Sequence, residues 1–463
     1  MNPNKQIARQ SVSILLALGL ILMSCQRNSG YGELVGVQDR NRVQAPIPYG
    51  MVYVPSGYTT VGTGGEDPTY SMITSPKTVS ISAFYMDETE ITNNKYRQFV
   101  SWVIDSLKYR LLGEVDPIFL IEDPNGEDVI PAINWNARPK KWTPEYEEAI
   151  QELYTPADER FRHRKEIDTR KLNYEYYTFD YTSAARKSWE EPSEEANRYE
   201  GVNMASFVNR PQSLKSRAGY IQKHVVNVYP DTLCWIVDFS YSYNDPMVRS
   251  YYSSPMYDNY PVVGVNWHQA QAFCEWRTVT HNAELSRRGI TELEQYRLPT
   301  ETEWEFAARG GLDLSPYPWG GPYAMNMNGC LIGNFKPQRG KYALDGGIYP
   351  VIVAHYAPND YGLYDMMGNV AEWCVDKYDD SYEALHDFNP ANTYDAKSDD
   401  PVALKRKVIR GGSFKDFAEN CKVYARHYEY QDTCKSYIGF RCVMSYLGRD
   451  MNDNMRTASN IYR

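Results

Sequence analysis

The hydrophobic pattern opens on an apolar run, Val12 to Met23, and then changes character. Twelve residues are too few to span a bilayer as a stable helix. With Lys5 and Arg9 ahead of them they read as a secretory signal, which is set apart from fold reasoning. Residues 26–49 are polar, contain Pro46 and Pro48, and read as a tether. Alternation begins with Met51-Val52-Tyr53-Val54, which predicts a strand. After Phe84 to Thr92, the positions Tyr96, Phe99, Val100, Val103, Ile104 and Leu107 recur at helical spacing. Thr92 is a good N-cap for that helix, and its apolar face is expected in the core. A second helix is predicted after Asn266, with Ala270, Phe273, Cys274 and Arg277 on one side. A third starts at Thr300, where Thr300 and Glu303 form a capping box, and stops at Gly310, a left-handed C-cap. Glu301, Glu303 and Glu305 open this helix and are expected to cap it and complement its dipole rather than act as catalytic acids.

Between residues 106 and 255 the pattern gives way to Arg138-Pro139-Lys140-Lys141-Trp142-Thr143-Pro144 and a charged, tyrosine-rich stretch from Glu145 to Glu200. A structureless loop of that length is unusual inside a compact domain, so a folded excursion or a partner-binding arm is expected. Deleting residues 110–250 is expected to leave the remaining fold intact. The tail from Gly448 is polar and expected to be mobile. The organisation is therefore 1–24 signal, 25–49 tether, 50–445 one domain carrying the insertion 106–255, and 446–463 polar tail.

Composition sharpens this. The formal charge is −10 over 463 residues, and loss of Lys5 and Arg9 with the signal takes it to −12. An acidic chain has no electrostatic case for binding nucleic acid. Forty tyrosines and ten tryptophans suit either interfaces and carbohydrate sites or a loop-rich fold held by aromatic packing. The seven histidines, His427 among them, show no zinc-protease or oxygenase spacing, and no nucleophile-elbow, Walker or dinucleotide fingerprint is present. Beyond Cys25 there are seven cysteines, Cys234, Cys274, Cys330, Cys374, Cys421, Cys434 and Cys442, an odd number that leaves at least one thiol unpaired.

Two resemblances add to this reading. Leu22-Met23-Ser24-Cys25 resembles a bacterial lipobox, which implies acylation of Cys25. Gln26, in place of an inner-membrane retention aspartate, implies the periplasmic face of an outer membrane. Several acyl chains anchor durably at about 0.8 kcal/mol per buried CH₂. Further on, the blocks Thr300 to Gly311, Pro318-Trp319-Gly320, Gly362 to Cys374, Arg410-Gly411-Gly412-Ser413-Phe414 and Gly439-Phe440-Arg441-Cys442 occur in order. Together they resemble the formylglycine-generating enzyme (sulfatase-modifying factor) family. The resemblance covers about residues 50–105 and 256–445. It implies an α+β, loop-rich fold related to C-type-lectin-like folds, with a long insertion.

That family oxidises a substrate cysteine with two reactive thiols that bind copper. Counting forward from Gly411-Gly412-Ser413, the two positions fall on Asp416 and Cys421; counting back from Gly439, they fall on Ser413 and Ala418. Neither count yields a thiol pair. Cu(I) selects thiolates, so no copper is expected. By the same resemblance, calcium is the expected metal, in a structural role. Asn334, the carbonyl of Phe335 and Asp345 match one site; Asp365, Glu372 and the carbonyls of Gly368 and Val370 match a second. Oxygen ligands from loops suit Ca²⁺. The resemblance also implies a Cys274–Cys442 disulfide, worth roughly 4–5 kcal/mol in the chain-entropy model.

Together with the lipobox and insertion, Met86-Asp87-Glu88-Thr89-Glu90-Ile91-Thr92-Asn93 and Gly32 to Arg40 resemble the gliding-motility lipoprotein K/PorK group of the type IX secretion system. That resemblance implies a non-catalytic outer-membrane scaffold, assembling as a homo-oligomeric ring with a soluble periplasmic N-type subunit. The alternatives are a lectin-like glycan or lipopolysaccharide binder, or oxidation of a cysteine through Cys421.

Overall fold

The computed structural model describes residues 47–447 apart from 64–75, 122–131, 140–141, 161–162, 180–220, 241–244, 291, 338–342, 344 and 383–384. The predicted signal, Cys25, most of the tether and the tail from Gly448 lie outside the described residues. Among the described residues no helix is long and apolar enough to cross a membrane.

The expected opening strand is β1 (Met51–Val54), followed by the hairpin β2 (Gly57–Val61) and β3 (Lys77–Ile81), and by β4 (Phe84–Asp87). The first predicted helix is α1 (Asn93–Val115), capped by Thr92, whose hydroxyl accepts the Lys95 N–H at 3.3 Å. Its Tyr96, Phe99, Val100 and Val103 are buried, while Ile104 and Leu107 pack against the core from its edge. The insertion supplies β5 (Leu120–Ile121), β6 (Ala132–Ile133), α2 (Pro144–Gln151), the hairpin β7 (Asn173–Phe179) and β8 (Ile221–Asn227), and the short helices α3 (Cys234–Asp238) and α4 (Pro246–Ser250).

The second and third predicted helices follow as α5 (Trp267–Arg287) and α6 (Glu301–Arg309), with β9 (Tyr296–Arg297) between them. Asn266 and Gln269 form a capping box on α5; Thr300 and Glu303 form the expected one on α6. Gly310 ends α6 with φ 61°. The chain closes with β10 (Ala371–Lys377), β11 (Arg406–Arg410), β12 (His427–Tyr430), β13 (Ile438–Gly439) and β14 (Val443–Ser445).

Two four-stranded sheets organise these elements. One is antiparallel, in the order β1-β4-β14-β9, with Met51 opposite Asp87 and Val443 opposite Met86. The other runs β12-β11-β10-β13, antiparallel except for β10 with β13, and places Glu372 between Arg410 and Gly439. The fold is α+β and loop-rich.

The expectation that the insertion can be removed cleanly is not met. Leu172, Tyr174, Tyr176 and Val228 lie in the same buried cluster as Tyr96, Phe273 and Phe440. Cys234, Trp235 and Val248 share a second cluster with Val370 and Phe414. Tyr174 meets Phe99 edge-on at 5.4 Å. The described insertion therefore supplies part of the domain's core, because its aromatic side chains leave water only by packing on the flanking elements.

Candidate functional site

The loop before β10 meets the turn after β11. Gly368 N–H donates to the Gly411 carbonyl at 2.9 Å, Asn369 N–H to that of Asn334 at 2.8 Å, and Phe414 N–H to that of Asn369 at 2.9 Å. Gly368 has φ 77°, and a Cβ there would overlap the Asn334 backbone, so this junction requires glycine. Asn369 is fully buried at φ 59°, and its side chain ties the segments together through Val351 N–H (2.9 Å) and Glu90 Oε2 (2.9 Å).

Beneath this junction sits a carboxylate–arginine centre. Arg441 Nε and Nη2 hold the two oxygens of Glu372 at 2.7 and 2.6 Å, and Trp304 Nε1 donates to Glu372 Oε2 at 2.7 Å. Arg441 also donates to the carbonyls of Asp87 (3.2 Å) and Tyr364 (3.0 Å). Glu90 and Asp365 complete the group. Burial, and then the charges of Asp365 and Glu372, push the Glu90 carboxyl well above its ordinary range. Burial pushes Asp365 up to about 6. Asp365 Oδ2 accepts the Ala354 N–H at 2.6 Å; Oδ1 is buried and has no hydrogen-bond partner among the described residues. A buried carboxylate oxygen left unpaired is costly.

The two expected calcium sets stand differently. In the first, the Asn334 side-chain oxygen accepts Gly347 N–H at 3.0 Å, Asp345 Oδ2 accepts Leu331 N–H at 3.2 Å, and Phe335 packs with Tyr317, Met367 and Cys421. Asn334 and Asp345 are thus each tied to backbone through one side-chain oxygen. In the second, Glu372 is bound bidentately by Arg441, which departs from the expected ligand role, but Asp365 beside Gly368 and Val370 offers an unpartnered oxygen. That oxygen is the feature that fits a hard cation.

The position of the reactive thiols lies next to this centre. Asp416 Oδ2 accepts the Ser413 N–H at 3.0 Å and its hydroxyl at 2.5 Å, closing the turn after the two glycines. Cys421, fully buried, lies 2.5 Å from where a Cβ on Gly412 would be and 4.0 Å from the Ser413 carbonyl. Burial pushes its thiol well above the usual range, so the nucleophilic thiolate is disfavoured. His427 Nε2–H donates to the Asn420 carbonyl, 3.1 Å away, and burial pushes its pKa down. The insertion covers the next residue: Phe239, which follows α3, stacks on Phe414 at 6.0 Å and meets Tyr349 at 5.7 Å. Asp238 fastens the cover by accepting the Ser436 N–H (2.9 Å) and hydroxyl (2.7 Å).

The family model for the sulfatase-modifying factor enzyme 1-like domain matches residues 37–446. The chain belongs to that family. Over 190 residues it is 35% identical to a formylglycine-generating enzyme of Thermomonospora curvata, covering 40% of this chain and 55% of the relative. Over 200 residues it is 36% identical to the inactive Cα-formylglycine-generating enzyme 2 of Mus musculus, covering 42% and 51%. The chain thus spans about half the length of these curated relatives. Among solved structures, Treponema denticola variable protein 1 superposes with a TM-score of 0.41 at 19% identity, covering 86% of this chain and 95% of that one. PvdO from Pseudomonas aeruginosa gives 0.42 at 15% identity, over 86% and 94%. The family includes both active and inactive members by name, so the Ser413–Cys421 turn bears directly on what this member does.

Cys274 and Cys442, the pair the family resemblance implies, stand with their buried sulfurs 3.4 Å apart. Two other features of this region had no sequence signal. Glu301 and Glu305 do more than serve a helix start: Glu301 binds Arg426 at 2.5 and 2.8 Å, and Glu305 binds Arg309 at 2.6 Å and also Arg410. The Phe239 cover could not be foreseen either, since nothing local to an aromatic residue in an unmatched insertion says what it will cover.

Proposed function

We propose that this protein is a non-catalytic member of its family that works as a scaffold. In this reading it is an outer-membrane lipoprotein, acylated at Cys25, on the periplasmic face. It serves type IX secretion and gliding through a homo-oligomeric ring with the soluble N-type subunit. The observation that carries the non-catalytic part is the turn itself: Asp416 caps Ser413, Cys421 is sealed behind Gly412, and Phe239 stacks over Phe414. A lone, desolvated thiol neither forms a bis-thiolate copper site nor attacks a substrate. The similarity to a relative named as inactive points the same way. The lipobox and the Met86 to Asn93 block support the membrane and assembly parts. The purified protein, incubated with copper and a thiol reductant, is expected to consume no oxygen above the rate of a Cys421→Ser variant and to bind no stoichiometric copper. Copper-dependent oxygen uptake that Cys421→Ser abolishes would overturn the reading.

We also propose that calcium occupies the second set, held by Asp365 with the Gly368 and Val370 carbonyls, where it would neutralise the Glu90–Asp365 side of the centre. Its effect is readable against pH. Burial pushes Asp365 up to about 6 and Asp376 up to about 7. A carboxyl that binds its proton more tightly when folded stabilises fully below its unfolded value near 4 and loses that contribution as pH rises through the folded value. In chelator, the melting temperature should therefore fall between about pH 4.5 and about pH 7.5, and Asp376→Asn should flatten the upper part of the fall. Calcium at the upper pH should raise the melting temperature of the parent but not of Asp365→Asn. An equal response in both would assign the effect to another site.

A further inference from the structure

The cysteines outside the Cys274–Cys442 pair include two that the fold brings to one place. Cys234 begins α3 in the insertion, and Cys434 lies two hundred residues on, between β12 and β13. Gly264 is wedged between their segments. Its N–H donates to the Lys435 carbonyl at 2.9 Å, and its carbonyl accepts the Asp231 N–H at 2.8 Å. The Cys234 sulfur is 3.1 Å from where a Cβ on Gly264 would stand, and that Cβ would also collide with the Asp231 carbonyl. Gly264 has φ 74°, so both the backbone shape and the close approach require glycine here.

Cys434 lies beside the same wedge, because the Gly264 N–H donates to the carbonyl of the next residue, Lys435. The two segments are fastened further along by Ser436 on Asp238 at 2.9 and 2.7 Å and by Lys435 4.0 Å from Asp238. Residues 434–436 thus lie along residues 231–238. Burial pushes the Cys434 thiol up to about 12 and that of Cys234 higher still. Cys234 is buried and Cys434 half-buried.

From this placement we infer that Cys234 and Cys434 form a second disulfide, which staples the insertion, and with it the Phe239 cover, onto the closing loop. The inference rests on the secreted location proposed above only for the supply of an oxidant. Disulfide geometry brings the two sulfurs to about 2.05 Å, so side-chain rotation about the Gly264 wedge accompanies the bond. The oxidant is an external disulfide, on a small molecule or an oxidoreductase. The Cys434 thiolate attacks one of its sulfurs, giving a mixed disulfide and releasing one thiol. The Cys234 thiolate then attacks the Cys434 sulfur and expels the second thiol. The two protons lost from the cysteines end on the two released thiols, and one external disulfide is reduced for each bond formed. Because both thiols are desolvated in the finished fold, exchange belongs to folding, before the loop docks.

The test is peptide mapping of the full chain, isolated from its own envelope without reductant and alkylated in denaturant. The expected result is a peptide pair joined through Cys234 and Cys434, with neither cysteine alkylated. Finding Cys274 joined to Cys442 while Cys234 and Cys434 are both alkylated would overturn the inference. If every cysteine is alkylated, the proposed location fails, and the pairing is decided by mapping the full chain after refolding in a glutathione redox buffer. There, a Cys234–Cys434 bond upholds the inference, and its absence beside a formed Cys274–Cys442 bond overturns it.

Discussion

Replacing Arg441 by methionine should lower the stability of the domain by about 3–5 kcal/mol, the range found when one partner of a buried ion pair is removed. Arg441 and Glu372 are fully buried and joined by two short bonds, with Trp304 on the same carboxylate. Methionine fills much of the volume but leaves Glu372 charged beside Glu90 and Asp365, which have no guanidinium to face. For a domain of this size the melting temperature should fall by roughly 4–6 °C. The double variant Arg441→Met with Glu372→Gln should recover part of the loss, because it removes both charges instead of stranding one. A single variant that melts within about 2 °C of the parent would show that the pair contributes nothing beyond packing.

The second large effect concerns the insertion. A chain lacking residues 110–250 should fail to fold rather than simply lose its partners. The deletion removes Leu172, Tyr174, Tyr176, Val228, Trp235 and Val248 from two buried clusters. At about 1.5–3 kcal/mol for each large apolar side chain, the loss is of the order of a whole domain's net stability. The expected result is a chain without near-ultraviolet circular dichroism or a cooperative melt. A soluble, cooperatively melting deletion would mean that the flanking elements close over the gap. Partner contacts are better probed at exposed positions of the same hairpin, such as Tyr177 and Val225, where substitution leaves the core untouched.

What the sequence disclosed divides by range. Thr92, Asn266 and Thr300 announced their helices because a cap and the backbone it satisfies lie within three residues of one another. The glycine-rich blocks were legible for a similar reason, since Gly368 and Gly310 record local backbone shape. The centre was less so. Arg441 meets Glu372 and Arg410 meets Glu305 across separations of 69 and 105 residues, and no periodicity encodes such pairings. The ligand role expected of Glu372 is displaced by Arg441 for the same reason. Asp416 was legible as a non-thiol, but its hydrogen bonds to Ser413 and the aromatic lid from residue 239 needed the fold. The insertion's share in the core was not legible, because its tyrosines are amphipathic enough to read as surface.

The central claim is a scaffold built on a silenced family site. It is tested most directly by native mass spectrometry of the full-length protein, purified in mild detergent from its own envelope. The account predicts a large repeating complex that holds one soluble partner in fixed ratio. A lone monomer, unchanged under gentle cross-linking, would contradict it.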